Sequence, residues 1–547
     1  MGYKSNLTFA VHTLGCKVNF TETSGISDIL REKGYRRVTY KEVSDIYVIN
    51  SCVLTSAAEK KTRNAIYRAH RLNPNAKIAV IGCVSELFSE SLKQIEGVSL
   101  ILGNDAKFFI ADFIGNENNI EQVVRAGEID TVKEFRLSYS LSERTRSFVK
   151  IQDGCDCFCH YCIVPYARGR SRSATISEVM KAVSTIAEKG YKEIVLTGIN
   201  LGDFGKDNNE NLIALLEAII ESKALQRIRL SSIEPQFITQ ELIEFFSSHS
   251  EMMPHFHIPM QSGSDATLQR MGRNYNTAFL SEIIKMIIDY IPKACIAADV
   301  ITGFPGETDD EFKQTIEFFS KNPIAYMHVF TFSARTGTHA ISIPEQVHAD
   351  VKKHRTKVLS DISQKNKTQF YKTQFHQPHK VLIETEDRSG WKYGHTENYL
   401  KVKVRDKVAK PNSIVQVVPI SYDETTEIAE VRIHISNKKT LVIGASTNTY
   451  RYSYKAVKLL LQKGYKVEAY GNRIGTIEGI DIHTSQFQFV DIHTVTLYLN
   501  IQNQKEYYDY ILYTIQPKRI IFNHGTENPD FEKMAKAKGI EVVKDCT

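Results

Sequence analysis

The sequence predicts an α/β multidomain chain in four parts: an N-terminal α/β domain with a parallel sheet, a partial (β/α) barrel, a small all-β barrel and a C-terminal α/β domain of nucleotide-binding type. Three observations carry this expectation. Apolar strand-like runs alternate with helical periodicity over 1–130, over 140–375 and again over 438–547. Residues 376–435 instead hold short runs that alternate apolar and polar residues, as half-buried strands do. A length of 547 residues exceeds what a single core holds.

Composition narrows the class. With 42% hydrophobic and 24% charged residues the chain reads as soluble and globular. No apolar run approaches the ~20 residues of a membrane span, and MGYKSNLTF lacks the apolar core of a signal peptide. No membrane partner and a cytoplasmic location are therefore expected. The net charge of +6 is modest. Its distribution is not: Val351 to Lys380 carries eight Lys/Arg against one acid, Asp361. A long basic helix there offers phosphates a positive stripe, or is simply a solvated face.

In the first domain FAVHTLGC, IYVINSC and IAVIGC read as buried strands. Each ends at a cysteine: Cys16, Cys52 and Cys83. Strand ends of an open α/β sheet converge on one edge, so three cysteines distant in sequence are expected to meet there rather than to lie apart in the core. A polar stretch around 117–145 reads as a linker. The barrel follows, with SFVKIQDGC, KEIVLTGIN, RIRLSSIEP, HFHIPM, IAADVITGF and AYMHVFTFS as short strands, the first ending at Cys155. Chemistry in such barrels sits at strand C-termini. Cys295 opens an apolar strand and reads as core; Cys546 has no assigned role.

The stretch DGCDCFCHYC, 153–162, holds four of the nine cysteines. In a reducing compartment clustered cysteines bind metal or do redox work. Cys155, Cys159 and Cys162 make C-x3-C-x2-C, which can hold three irons of a [4Fe–4S] cluster and leave the fourth open. Zinc is the competing metal; it needs four closed ligands, and Cys157 or His160 could complete them.

In the all-β part, KVLIETE, YLKVKVRD, SIVQVVPISYD and AEVRIHIS are the expected strands. Lys401, Lys403 and Arg405 share one strand face by period two, near Trp391, Tyr393 and Tyr399. Bases stack on aromatics and phosphates pair with cations, so this face suits looped RNA. In the last part KTLVIGAST ends a strand at Gly444, Ala445 and Ser446, before the helix SYKAVKLLLQKG.

The loop DGCDCFCHYCIVPYARGRSRS resembles the cluster loop of radical S-adenosylmethionine enzymes of the methylthiotransferase branch. TLGCKVN, INSCVLT and VIGCVSE resemble that family's N-terminal motifs. EIVLTGINLGDFG, RLSSIEP, HIPMQSGSD, ADVITGFPGET and HVFTFSARTGT resemble its barrel motifs, in order. The resemblance covers about 1–435 and, within the family, TLGCKVN and FCHYCIVPYARGR resemble the subgroup acting on N6-threonylcarbamoyladenosine in tRNA. It implies a methylthio group placed on C2 of that adenine. Other substrates of the family, isopentenyladenosine in tRNA or a ribosomal-protein aspartate, are the alternatives, as is a zinc-containing RNA-binding adapter without catalysis.

The resemblance also implies the parts. A [4Fe–4S] cluster on Cys155, Cys159 and Cys162 binds S-adenosylmethionine and cleaves it to a radical. A second cluster on Cys16, Cys52 and Cys83 carries the sulfur, and a second S-adenosylmethionine supplies the methyl group. Cys157 departs from the family's polar residue and is read as a bystander. Tyr161, Gly198, Glu234, Gln261 and Asp299 are expected near S-adenosylmethionine: Gly198 by letting the backbone approach, Glu234 by accepting from ribose hydroxyls. Arg168, Arg170 and Arg172 are expected to hold RNA phosphate or a carboxylate, and 376–435 is the RNA-binding TRAM domain. Partners are tRNA, an electron donor and a sulfur source. The C-terminal part resembles a Rossmann-like CoA-binding domain, with Gly444, Ala445, Ser446, Asn448 and Arg451 facing CoA or an acyl-CoA; Asn448-Thr449 and GNR depart from its usual Asn-Pro turns.

Overall fold

The structure, a computed structural model, describes residues 7–115, 122–127, 129–141, 144–406, 409–433, 438–462, 465–484 and 488–545. Cys546 lies outside them. The N-terminal sheet is built from β1 (Thr8–Thr13), β2 (Arg36–Val38), β3 (Ile46–Ser51), β4 (Lys77–Gly82), β5 (Val98–Leu102) and β6 (Val123–Arg125), all parallel, in the order β2-β1-β3-β4-β5-β6. Strand β3 is buried throughout, as its unbroken apolar run requires when helices cover both faces. Helices α1 (Lys17–Glu32), α2 (Ser56–Leu72) and α3 (Cys83–Lys93) follow β1, β3 and β4.

The next series is β7 (Ser138–Tyr139), β8 (Ser147–Lys150), β9 (Gln152–Asp153), β10 (Arg172–Ser173), β11 (Glu193–Thr197), β12 (Arg227–Leu230), β13 (His255–Gln261), β14 (Cys295–Thr302) and β15 (Tyr326–Thr331). Strands β8, β11 and β12 run parallel, as do β13, β14 and β15. Parallel bridges Ile228↔Met252 and Ser232↔His257 connect the two groups, so the barrel is partial and open. Its core gathers Val149, Leu196, Ile228, Ile258 and Ala298. Two short strands fall within the expected linker: Val123–Arg125 ends the first sheet and Ser138–Tyr139 pairs antiparallel with β8. Cys155 does not end a barrel strand. Strand β8 stops at Lys150, and β9 turns back to pair antiparallel with β10, which leaves Cys155 in the loop between them.

Strands β16 (His379–Glu386), β17 (Lys392–Thr396), β18 (Lys401–Val404), β19 (Ile414–Asp423) and β20 (Ile428–Ile433) close a small barrel. Strand β17 was not expected, because Gly394 interrupts its pattern; a Cβ there would meet the Leu382 carbonyl oxygen at 2.0 Å. The basic segment is the helix Ala349–Thr373, with Lys353, Lys357, Lys365 and Lys372 exposed and Arg355 buried against Glu307. Strands β21 (Lys439–Ile443), β22 (Val467–Tyr470), β23 (Gly475–Ile477), β24 (Ile480–His483), β25 (Ile492–Leu497), β26 (Arg519–Phe522) and β27 (Glu541–Lys544) form one sheet, parallel except for the hairpin β23–β24. The chain forms two units: Met1–Gln377, Val381–Ile414 and Pro419–Glu430 in one, Pro378–Lys380, Val415–Val418 and Val431–Thr547 in the other. No described helix is long and apolar enough to cross a membrane.

Within the first unit a buried ionic cluster joins the open barrel to the small one. Glu193, at the start of β11, accepts from Arg229 Nε at 3.1 Å and pairs with Arg227 Nε at 2.8 Å and Arg146 Nη1 at 3.8 Å. Arg227 and Arg229 in turn donate to the carbonyls of Thr396 (2.9 Å) and Glu397 (3.1 Å). Burial alone would raise the Glu193 carboxyl, but Arg229, Arg227 and Arg146 pull it from the ordinary 4.5 down to about 2. Between these values the unfolded carboxyl binds a proton that the folded one refuses, so stability is lost as pH falls. Denaturant unfolding followed from pH 5 to pH 2 is expected to show this loss. In Glu193→Gln that share of the pH dependence disappears; an unchanged slope would rule the assignment out.

Candidate active site

Cys16, Cys52 and Cys83 stand at the C-terminal ends of neighbouring strands, and the structure brings them together. Gly15 precedes Cys16 at φ +97°, and a Cβ there would sit 2.8 Å from Cys52 Sγ. Gly82 precedes Cys83 at φ +91°, where a Cβ would strike Asn50 Oδ1 at 2.6 Å. Gly15 therefore leaves room for Cys52 beside Cys16, and Gly82 leaves room for the Asn50 side chain at the turn into Cys83. All three cysteines line a cavity of about 370 Å³, with Lys17, Arg168, Gly198, His257 and Asp299. Asn104 Nδ2 lies 3.6 Å from Cys83 Sγ and donates to the Ala167 carbonyl at 2.6 Å.

The second set lies on the loop between β9 and β10. Gly154 turns the chain at φ +73°; a Cβ there would meet the Arg170 carbonyl oxygen at 1.9 Å. Cys155 N donates to the Gly169 carbonyl (3.1 Å) and Cys162 N to that of Cys159 (2.9 Å). His160 is held by its backbone N–H on Met271 O (3.0 Å) and its ring on Arg270 O (2.8 Å). Cys157 is exposed, with its N–H on Cys155 Sγ at 3.4 Å and its Sγ 3.9 Å from Asn200 Nδ2. Cys162 and Tyr161 line a second cavity, about 630 Å³, together with Cys16, Cys52, Gln261 and Asp299. Cys16, Cys52, Leu54 and Asp299 border both cavities, so the cavities adjoin, and Cys162 brings the loop set to the edge of the second.

The donor set fits two three-thiolate sites. None of the eight described cysteines is in a disulfide. Burial raises the Cys16 and Cys159 thiols and pushes Cys52 and Cys162 up to about 12, while hydrogen bonding to Cys157 comes first in raising Cys155. A bound cation would favour the thiolate form of such thiols, as metal ligation does.

Two residues expected near S-adenosylmethionine, Tyr161 and Glu234, are joined by Arg273, which carries no motif in the sequence. Arg273 donates to Tyr161 Oη and pairs with Glu234 Oε2, each at 2.7 Å. Burial raises the Glu234 carboxyl, and Arg273 counters it. Gln261 is buried at φ +67°, after an irregular register in β13. Asp299 Oδ1 accepts from His257 Nε2 at 2.8 Å, and these two lie with His328 within 4.8 Å of one another. Gly198 lines the cavity, but a Cβ there would meet Gln152 Oε1 at 2.8 Å, so its missing side chain makes room for Gln152 rather than for a ligand.

Arg168 and Arg172 are not available to RNA. Arg168 is 1% exposed and donates to Glu22, Asp153 and Asn19. Arg172 is buried and donates to the carbonyls of Arg168 (2.7 Å) and Arg170 (3.1 Å). Arg170 differs: its side chain is 67% exposed over the Phe158 ring. On β18 and just beyond, Lys401 and Arg405 are exposed, and Lys403 Nζ lies 4.8 Å over Trp391. Tyr399 is instead stacked between His255 and His395. In the C-terminal sheet the N–H groups of Gly444 and Ala445 both donate to the Tyr470 carbonyl at 2.9 Å, which removes them as pyrophosphate donors. Ser446 is half-buried, and Asn448 and Arg451 are exposed. Cys295 is buried at the start of β14.

Comparison with known proteins agrees with this arrangement. Residues 8–103 match the uncharacterized protein family UPF0004, 149–319 the radical SAM superfamily and 438–547 a CoA binding domain. The chain is 36% identical over 422 residues, 75% of its length and 93% of the relative's, to threonylcarbamoyladenosine tRNA methylthiotransferase MtaB of Bacillus subtilis. It is 34% identical to the protein of the same name from Aquifex aeolicus, over 75% of this chain and 99% of that one. It is 31% identical to a tRNA-2-methylthio-N(6)-dimethylallyladenosine synthase of Clostridium tetani, over 70% and 86%. By its cysteine sets, its barrel and these relatives, the chain belongs to the radical S-adenosylmethionine methylthiotransferases, with a domain of the CoA-binding family joined at its C-terminal side.

Proposed function

We propose that this protein places a methylthio group on C2 of N6-threonylcarbamoyladenosine in tRNA. The observation that carries this is a pair of adjoining cavities, one lined by Cys16, Cys52 and Cys83 at the sheet edge and the other by Cys16, Cys52 and, from the barrel loop, Cys162. Cys155, Cys159 and Cys162 would hold one [4Fe–4S] cluster and Cys16, Cys52 and Cys83 the other. When bound, these groups supply one-electron cleavage of S-adenosylmethionine and the sulfur for transfer. A carbon-bound aromatic hydrogen is beyond the reach of a side-chain base near pH 7, which is why acid–base residues are not the centre of the site.

The protein's own residues position and shield. Arg273 fixes the Tyr161 ring and one oxygen of Glu234, which leaves the other carboxylate oxygen to accept from a ribose hydroxyl. His257 orients Asp299 at the junction of the two cavities. Leu54, Ile163, Ile301 and Phe332 line the larger cavity and keep its wall apolar. Arg170, Lys401, Lys403, Arg405 and the exposed lysines of Ala349–Thr373 would contact tRNA phosphates. A cytoplasmic location, an electron donor and a sulfur source belong to this reading.

In the C-terminal domain, Ser446, Asn448 and Arg451 would face the phosphates of CoA or an acyl-CoA, with Gly444 and Ala445 shaping the turn. Titration of the full-length protein with CoA in a calorimeter is expected to give saturable heat that Arg451→Ala weakens. No heat at millimolar CoA would leave the domain a docking module.

Two further outcomes follow. Nucleosides from cells lacking the gene should contain threonylcarbamoyladenosine but no 2-methylthio derivative by mass spectrometry; persistence of the derivative would refute the assignment. After anaerobic reconstitution, Cys159→Ala should lose about half of the wild-type iron, and Cys157→Ala should retain it. The reverse pattern would mean that Cys157, and not Cys159, is a ligand.

A further inference from the structure

The cavity of the sheet-edge cysteines holds one cation with no assigned task. Lys17 follows Cys16 directly, and its exposed side chain lines this cavity. Among the described residues its ammonium makes no hydrogen bond and no ion pair. The charges around it are already engaged. Asp299 is bonded to His257 at 2.8 Å. Arg146 pairs with Glu384 at 3.2 Å, and Arg229 with Glu193 at 3.1 Å.

Its place on α1 deepens the anomaly. The N-terminus of a helix repels cations and attracts anions. Helix α1 has no side-chain cap and no acidic residue in its first turn, where Lys17 stands. Among the described residues, lysine there has no acidic neighbour in the first turn to hold it. The small barrel meets the open barrel near this cavity: Tyr399 stacks on His255 and His395 at 4.4 and 4.8 Å, and His257 on the strand of His255 lines the cavity. A base presented from an RNA loop held by the small barrel would enter from that side.

We infer that Lys17 is a specificity-determining residue that binds the carboxylate of the substrate's threonylcarbamoyl arm. This rests on the proposed function and adds the recognition element to it. Threonylcarbamoyl ends in a carboxylate, whereas a dimethylallyl arm is uncharged and apolar; an unpaired ammonium on the cavity wall favours the first over the second. Nothing is transferred to or from Lys17 in this role.

The test is a cycle that varies both partners. Binding of the reconstituted full-length protein is measured for an anticodon stem-loop carrying threonylcarbamoyladenosine, for its carboxylate methyl ester, and for the unmodified adenosine. Wild type should prefer the carboxylate over the ester by about tenfold or more. In Lys17→Gln this preference should vanish while affinity for the unmodified stem-loop stays the same, and Lys17→Arg should restore most of it. Iron content is read in parallel. If Lys17→Gln fails to load iron, the ester comparison on wild type still decides: equal binding of acid and ester overturns the inference. Equal losses by Lys17→Gln on all three RNAs overturn it too, because they mark a phosphate contact. If wild type does not distinguish the modified from the unmodified stem-loop, the proposed substrate itself fails; if it does but is indifferent to ester and to Lys17→Gln, only the role of Lys17 fails.

Discussion

Arg168 holds the two cysteine sets in one frame. It ends the helix Val164–Arg168, a few residues beyond Cys162, and is fully buried. Its guanidinium reaches Glu22 at 3.1 Å and Asn19 at 2.6 Å, both on the helix that begins after Cys16, and Asp153 at 2.9 Å beside the other cysteine loop. Lys107 and Lys150 complete the cluster on Glu22 at 2.6 and 3.0 Å. Removing one partner from a buried ionic group of this kind costs about 3–5 kcal/mol, because the remaining charge is left without solvent or counter-ion. A planar donor with several N–H groups can satisfy three partners in fixed directions, which a lysine cannot do. The separation of the cysteine sets is thereby set by a directional polar joint beside the apolar packing of Val53 and Val84 on Ile163 and Ala167.

The same joint carries a charge surplus. Lys107, Lys150, Arg168 and Arg172 face only Glu22 and Asp153 within it. Burial is uneconomical for unbalanced charge unless something nearby compensates. Arg168 lines the cavity of Cys16, Cys52 and Cys83, and it draws the Cys16 thiol down against the larger upward effect of burial. Thiolates gathered on a metal centre would supply the missing negative charge. The cluster thus does two things with one set of residues: it fixes distance, and it favours the ionised form of the cysteines.

Much of this was legible in the sequence, for a physical reason. Strand ends at Cys16, Cys52 and Cys83 follow from apolar runs that stop at a Gly-Cys or Ser-Cys pair, and parallel sheets put such ends on one edge. The closing of the small barrel was visible in its period-two pattern, apart from β17, whose glycine hides the strand. What could not be read were the ionic joints. Arg168 and Arg172 look like a basic surface loop in the run RGRSRS, and nothing local tells that their partners are Glu22, far upstream, and Asp153. Glu193 is equally silent, since Arg227 and Arg229 alternate on a strand as surface residues would. Arg273, which joins Tyr161 to Glu234, carries no motif. Long-range pairing of charged groups leaves no period in a sequence. One signal was available for Lys17: a cation at the first position of a helix, where an acid is the rule.

The frame and the choice of substrate are therefore separate properties. Relatives named for threonylcarbamoyladenosine and for dimethylallyladenosine match this chain at 36% and 31% identity over similar lengths. A scaffold that serves both names cannot itself select between them. Selection has to come from side chains that face the cavity and make no structural contact, since any residue tied into Glu22, Glu193 or Arg273 would alter the frame when exchanged. Lys17 meets both conditions: it borders the cavity, and no ionic joint depends on it. A residue beside Cys16 stands on the cavity wall, so a charge placed there acts inside the cavity and not on an RNA backbone outside it.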